Sequence, residues 1–352
     1  MIEDAITGIS HIDMKMMDEA QKKIDSLTKP KQSLGKLEEF AKRMAGITGN
    51  LHPSLKNKII FTMAGDHGVA QESVSLFPQE VTAQMIYNFL NGGAGVNVLA
   101  QHIEARVVVV DMGTATEIST KSKDFIDKKV ALGTKNIAIG PAMTKGEAIR
   151  SIESGIEVFE EERVRSCIDI IGLGEMGIAN TTAASAITSC ITGARVEDVT
   201  GRGTGISQKQ LKNKIATIKE ALKINHPDPK DPLDVLQKLG GFEIGGLVGL
   251  ILAAAGERIP IVIDGFITAS AALIATEISP LSKEYLFASH NSVEKGHNIA
   301  LKWMGLEPMF DLKMRLGEGT GACLGISMIE AGVKIMTEMA TFEDAGVSRE
   351  KK

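Results

Sequence analysis

Apolar residues at three- and four-residue spacing open the chain. Met14, Met17, Ala20, Ile24 and Leu27 form one stripe, and Leu34, Leu37, Phe40/Ala41, Met44 and Ile47 form a second. Each predicts an amphipathic helix, and Thr28-Lys29-Pro30 separates the two because proline cannot continue a helix. The far end carries a matching stripe, Ile329, Val333, Met336 and Met339/Ala340. Helical ends without strands predict a small helical subdomain built from both termini, residues 1–55 joined by 325–352.

Between these ends the period changes. Short apolar runs recur at Ile59–Ala64, Arg106–Asp111, Cys167–Gly172, Ile259–Asp264 and Tyr285–Ser289, each closed by glycine or a small polar cluster and followed by a helical stretch. Buried runs alternating with helices predict an α/β fold, a parallel-sheet, Rossmann-like domain over residues 56–324. Such sheets bind ligands beyond the carboxyl ends of their strands. Chemistry is therefore to be sought at Asp66, His67, Asp111, Glu175, Asp264, Ser289 and His290. The longest apolar stretch, Ile244–Ala255, has 12 residues. A bilayer needs about 20, so the stretch reads as a buried helix and no membrane partner is expected.

Composition narrows the class. With 43% hydrophobic and 24% charged residues, disorder and fibrous repeats are excluded. Thirty-six glycines beside only 4% aromatics suit tight strand-to-helix turns. A net charge of −5 gives no basis for a nucleic-acid partner. The start, Met1–Ile12, carries acids and no signal-peptide pattern, and Cys167, Cys190 and Cys323 form no CxxC pair. A reduced, cytoplasmic protein is expected.

Three glycine loops carry the candidate chemistry. Gly172-Leu173-Gly174-Glu175-Met176-Gly177 fits GxGxxG, with a helix predicted from Ile178. Asn180 and Thr181 stand near its start, where free backbone N–H groups favour an anion. As a dinucleotide fingerprint the loop is weak, because no acidic residue closes a following strand. Gly201-Arg202-Gly203-Thr204-Gly205 and Gly317-Glu318-Gly319-Thr320-Gly321 share the form G-x-G-T-G, each before a helix. Three such loops beside a parallel sheet point to a phosphorylated ligand. Lys214 either reaches that phosphate or is merely solvated. Glu318 would repel phosphate, so it suits a group that must lose a proton; its plainer reading is a charge offsetting a helix dipole. Glu175 carries the same ambiguity and leans to the plainer reading. Asp66 with His67, and His290 with Glu294 and His297, lack metal-ligand spacing, so no metal is expected.

Several stretches resemble a known family. Gly65-Asp66-His67-Gly68-Val69, Phe77-Pro78-Gln79-Glu80-Val81-Thr82 through Asn91-Gly92-Gly93-Ala94, and Gly172 through Thr182 contribute. So do Gly240-Gly241-Phe242-Glu243-Ile244, Asp264-Gly265-Phe266, Ser289-His290-Asn291-Ser292 and Gly317 through Gly321. Together they are similar to the nicotinate-nucleotide–dimethylbenzimidazole phosphoribosyltransferases of cobalamin lower-ligand assembly. The resemblance implies transfer of 5-phosphoribosyl from nicotinate mononucleotide to 5,6-dimethylbenzimidazole, giving α-ribazole 5′-phosphate and nicotinate with inversion at the anomeric carbon. It further implies a homodimer, small-molecule substrates and no cofactor.

By the same resemblance Glu318 is the catalytic base, and Leu316, Met176 and Gln84 border the aromatic-base pocket. Glu175 is a second carboxylate that would stabilise an oxocarbenium-like sugar. The phosphate is expected on amides near Gly177 and on Gly203-Thr204-Gly205, with Lys214. Asn180, Thr181, Asp264 and Ser292 complete the expected substrate-binding set. Two alternatives stand beside this reading: the same fold acting on another base (adenine, another benzimidazole or a phenol), and a non-catalytic partner subunit, against which Glu318 argues. A nicotinamide-dependent oxidoreductase is the rival from the glycine motif alone.

Overall fold

A computed structural model describes residues 1–348. Seven strands occur among them: β1 (Lys58–Gly65), β2 (Arg106–Gly113), β3 (Phe125–Asp127), β4 (Ile170–Met176), β5 (Ile261–Ile263), β6 (Leu286–His290) and β7 (Pro308–Phe310). They form one sheet in the order β3-β2-β1-β4-β5-β6-β7, with every pairing parallel. The α/β, parallel-sheet architecture expected from the alternating runs is the one found. Each residue of β1 is buried, as a strand covered on both faces requires. The chain builds outward from β1 to β3, then returns to the other side of β1 with β4. That reversal opens a crevice at the strands' carboxyl ends.

The strand runs are placed with one informative error. The run expected over Cys167–Gly172 is slid along the chain, and β4 continues to Met176 because β1 offers it a partner as far as Ala64. The first glycine loop is therefore largely strand, and the following helix starts at Asn180 rather than Ile178. Gly172 and Gly174, two apart, face the same side of the sheet. A Cβ on Gly172 would stand 3.1 Å from the Ala322 Cβ, and one on Gly174 only 2.0 Å from the Glu318 carbonyl oxygen. These glycines make a bare strand surface on which the Gly317–Gly321 loop rests.

Strands β3 and β7 were not expected. Each has three residues and sits at a sheet edge, where pairing on one side leaves little pattern to read. The expected buried helix is present as Phe242–Gly256, enclosed from Phe242 to Ala255.

Helices from the two terminal regions pack together. Helices Met14–Ser26 and Lys36–Thr48 pack with the far half of Thr320–Glu338, where Ala20, Ile24, Ala41, Ala45 and Met336 form a small apolar cluster. Leu27 also bridges Thr341. Lys29, in the connection between these two helices, pairs with Glu38 of the second at 2.8 Å, both nearly buried, and Glu38 additionally accepts the Leu34 N–H at 2.9 Å. Phe40, Met44, Ile47, Ile329 and Val333 join the main core. The helix Thr320–Glu338 runs unbroken through residue 325, with its near half on β4, β5 and β6.

Gly174→Ala should therefore push the Glu318 loop off the sheet. Urea denaturation should show unfolding free energy lower by about 1–3 kcal/mol, the usual cost of overpacking. An unchanged midpoint would mean that the loop yields without cost.

Candidate active site

A cavity of about 450 Å³ lies beyond the carboxyl ends of β4, β5 and β6, within the range of small-molecule sites. Its walls come from Glu175 to Ile178, Gly265 to Ile267, His290, Ser292 and Glu294, closed by Arg315 to Glu318, Phe77, Val81 and Met85.

Glu318 is the most constrained residue of this wall. It has φ +65°, between Gly317 at +85° and Gly319 at +105°, so three successive residues adopt the left-handed region that a non-glycine residue rarely enters. Thr62 Oγ1 donates to the Glu318 carbonyl oxygen at 3.0 Å. Behind the loop, the Asp264 carboxylate accepts the Gly319 N–H at 3.1 Å and the Gly321 N–H at 2.6 Å. It thus stands as a cap at the start of Thr320–Glu338, supplied from the sheet. The Glu318 side chain is 6% exposed, and its Oε2 accepts the Val96 N–H at 3.1 Å, at the start of helix Gly95–His102. Burial raises its pKa above the ordinary carboxylate value, against the pull of the Val96 and Gly95 amides.

Further acids lie alongside. Glu175, the last residue but one of β4, accepts a hydrogen bond from Asn180 and is pushed up to about 8 by burial and then by the Asp264 charge. Burial pushes Asp264 to about 7 despite its backbone donors. Carboxylates that resist ionisation because they crowd one dry space are relieved by a cation placed among them. A positive charge placed beside these carboxylates would favour their ionised forms.

A neighbouring stretch of wall is polar. Lys214 is buried, donates to Thr181 Oγ1 at 2.6 Å, and is lowered to about 8 by burial. The helix Asn180–Thr192 begins after Ala179 in the left-handed region with no side-chain cap, which leaves its first turn suited to an anion. The Gly203 N–H, expected to hold phosphate, is already given to Glu294 Oε1 at 2.9 Å, while Arg315 donates to the Gly203 carbonyl oxygen at 2.8 Å. The helix after this loop, Gln208–Asn225, is closed by a Ser207–Gln210 capping box.

Most of the expected residues converge. Glu318, Glu175, Met176, Gly177, Asn180, Thr181, Gly203, Thr204, Ser292 and Leu316 all line the cavity. Asp264, Lys214 and Gly205 do not; the first two act on lining residues from behind. Gln84 is exposed on helix Val81–Leu90. On that helix Val81 and Met85, four apart, turn to the cavity instead, since successive residues differ by about 100°. Arg315 and Met85 were not singled out in the sequence, and Phe77 only as part of a family stretch. Arg315 sits in a loop without periodicity, and only its nearness to Gly317 could have marked it.

Asp66 and His67 serve a buried hydrogen-bonded layer. His67 Nε2 pairs with Glu243 Oε1 at 2.6 Å. Asp66 accepts from Thr82 Oγ1 at 2.7 Å and from the Ala115 N–H at 2.9 Å, and Thr82 Oγ1 accepts the Ile178 N–H at 3.2 Å. Among the described residues no three His, Cys, Asp or Glu side chains are grouped to hold a metal ion.

The chain is similar to known proteins along its length. The phosphoribosyltransferase family profile matches residues 9–347. A relative from Geobacter sulfurreducens, named nicotinate-nucleotide–dimethylbenzimidazole phosphoribosyltransferase, is 52% identical over 348 residues, 99% of this chain and 98% of that protein. A relative of the same name from Desulforudis audaxviator is 53% identical over 351 residues, covering 100% of this chain and 99% of that one. The crystal structure of the Thermus thermophilus enzyme of that name superposes with a TM-score of 0.90 at 39% identity, covering 96% of this chain and all of that one.

The buried acids fix a pH dependence. In the folded chain Glu175 holds its proton to about 8 against an ordinary 4.5, so the folded state binds more protons than the unfolded one between those values. Stability is then greatest below the lower value and falls as pH rises through the upper one. Glu175→Gln should flatten this fall, read as thermal midpoints across the range; an unaltered slope would assign the protons elsewhere.

Proposed function

This chain belongs to the nicotinate-nucleotide–dimethylbenzimidazole phosphoribosyltransferase family, and from that premise we propose that it transfers 5-phosphoribosyl from nicotinate mononucleotide to 5,6-dimethylbenzimidazole, with Glu318 as the base. The observation that carries the reading is the buried, left-handed Glu318 carboxylate in the cavity wall beside the apolar Leu316, Met176 and Met85. As one azole nitrogen attacks C1′ of the sugar, the N–H on the other gives its proton to Glu318. The C1′–N bond to nicotinate breaks, and its electron pair neutralises the pyridinium, so the leaving group needs no acid. Attack from the opposite face turns the β-configured donor into an α-configured product, α-ribazole 5′-phosphate, a unit of cobalamin lower-ligand assembly.

Each remaining residue has a task in this reading. Glu175, beside Asn180, stabilises positive charge as the sugar becomes oxocarbenium-like. The open helix start at Asn180 and Thr181, together with Gly177, Thr204 and Lys214, receives the phosphate. Gly203 joins them only if Glu294 releases its N–H. Asp264 acts through the backbone of the Glu318 loop, and Ser292 lines the sugar end. The terminal helices, 1–55 with 325–352, act as a subdomain that anchors the helix bearing Glu318 at its head. The chain works as a homodimer in the cytoplasm, a setting that suits its free thiols Cys167, Cys190 and Cys323.

Incubation with nicotinate mononucleotide and 5,6-dimethylbenzimidazole, followed by mass spectrometry, should yield α-ribazole 5′-phosphate and nicotinate. Glu318→Gln keeps the shape and removes the basicity, so kcat should fall about 10²–10⁴-fold, the usual worth of general-base assistance. Calorimetric binding of nicotinate mononucleotide should change little. Near-normal turnover in this variant would sink the assignment of the base.

A further inference from the structure

One unpartnered buried atom on the cavity wall has a fixed chemical sense. His290 ends β6, lines the cavity and is 1% exposed. Its ring lies on Phe310, with centroids 6.0 Å apart. Its Nδ1 edge faces Ser289 Oγ at 3.1 Å and Asp264 Oδ1 at 3.7 Å. Ser289 has a single hydroxyl proton and directs it to the Asp264 carbonyl oxygen, 3.0 Å away, which can only accept. The contact between Ser289 and His290 therefore takes its proton from Nδ1, a choice that the neighbouring carboxylate favours. Burial lowers the ring's pKa to about 4, so the ring is neutral. A neutral imidazole protonated at Nδ1 has a bare lone pair at Nε2, and that atom has no partner.

His297 shows the opposite polarity beside it. The Ser292 N–H donates to its Nδ1 at 3.0 Å, so the ring proton sits on Nε2, also without a partner. The two rings are 5.9 Å apart. His297 stands behind the cavity wall and does not line it, so the atom a ligand meets is the bare acceptor of His290, which suits a group with a proton to give. An ionised phosphate or carboxylate has no proton for it. On nicotinate mononucleotide the groups that always carry a proton to give are the 2′ and 3′ hydroxyls of the ribose.

We propose that His290 reads a ribose hydroxyl of the donor nucleotide, accepting its proton at Nε2. The proposal rests on the phosphoribosyl-transfer reading above. Its consequence is positional, because Asp264 sets both the Nδ1 edge of His290 and, through Gly319 and Gly321, the loop of Glu318. The sugar and the base that deprotonates its attacker are then held in one frame.

The test compares nicotinate mononucleotide with its 2′-deoxy and 3′-deoxy analogues in the unmodified protein, in His290→Asn and in His290→Gln. Asparagine retains a donor for Ser289 and removes the distal acceptor; glutamine restores an acceptor near it. Turnover of the parent nucleotide by the unmodified protein tests the transferase reading alone. Given that turnover, the ratio of kcat/KM for parent over deoxy substrate should fall about 10- to 100-fold in His290→Asn for one analogue and stay fixed for the other. Intrinsic differences in sugar reactivity cancel between the proteins, and His290→Gln should recover part of the ratio. Ratios unchanged for both analogues would overturn the proposal and leave His290 and His297 around a structural water only. Should His290→Asn fail to fold, dissociation constants of the unmodified protein decide: neither deoxy analogue binding at least about tenfold more weakly than the parent would equally overturn it.

Discussion

The carboxylate of Asp264 is the constraint on which the site depends. It stands beyond β5 and accepts the Gly319 and Gly321 amides at the head of Thr320–Glu338. A helix start with unsatisfied N–H groups could not be buried against the sheet without such a partner. With the partner in place, the loop before the helix is drawn onto the bare surface of Gly172 and Gly174, and Glu318 is forced into a left-handed backbone. One ionisable group in the sheet thus determines where the helix begins, how closely it packs, and where the wall carboxylate points.

A polarity follows across the cavity. Glu175, Asp264 and Glu318 crowd one region, with the helix start at Asn180 joined to it through Glu175, while Lys214 and Arg315 lie about Gly203, where the Glu294 carboxylate holds the backbone N–H. A substrate with a cationic ring and an anionic tail matches that division, and the apolar surfaces of Phe77, Val81, Met85 and Leu316 accept a flat, uncharged base. In the proposed transfer, positive charge moves from ring to sugar to azole, and it stays among carboxylates throughout.

Much of this was legible in the residues, for physical reasons. Strands covered on both faces must be apolar throughout, so the long central ones announced themselves. The three-residue edge strands β3 and β7, paired on one side, had no such signature. The ambiguity of Gly172–Gly177 came from the same property of glycine serving two ends: it permits a phosphate turn, and it equally permits a neighbouring loop to touch a strand. Only the pairing with β1 distinguishes them. The glycine-flanked Glu318 marked a place in the cavity wall, its role as base coming only from the family resemblance, whereas Arg315 and the Gly203–Glu294 contact depend on loops meeting in space. Gln84 was placed by likeness, and its helix turns Met85 inward in its stead.

The cluster of reluctant acids also sets the proton stoichiometry of binding. A pyridinium entering beside Glu175 and Asp264 lowers the pKa values of that pair together, so docking expels protons into the medium even though the ligand's ring has none to give. Affinity for the donor therefore strengthens as the solution becomes more alkaline, by linkage alone. Once nicotinate has left as a neutral ring, the carboxylates recover their affinity for hydrogen ions, and the proton stripped from the azole is available to them. The cavity empties in the protonation state in which it began.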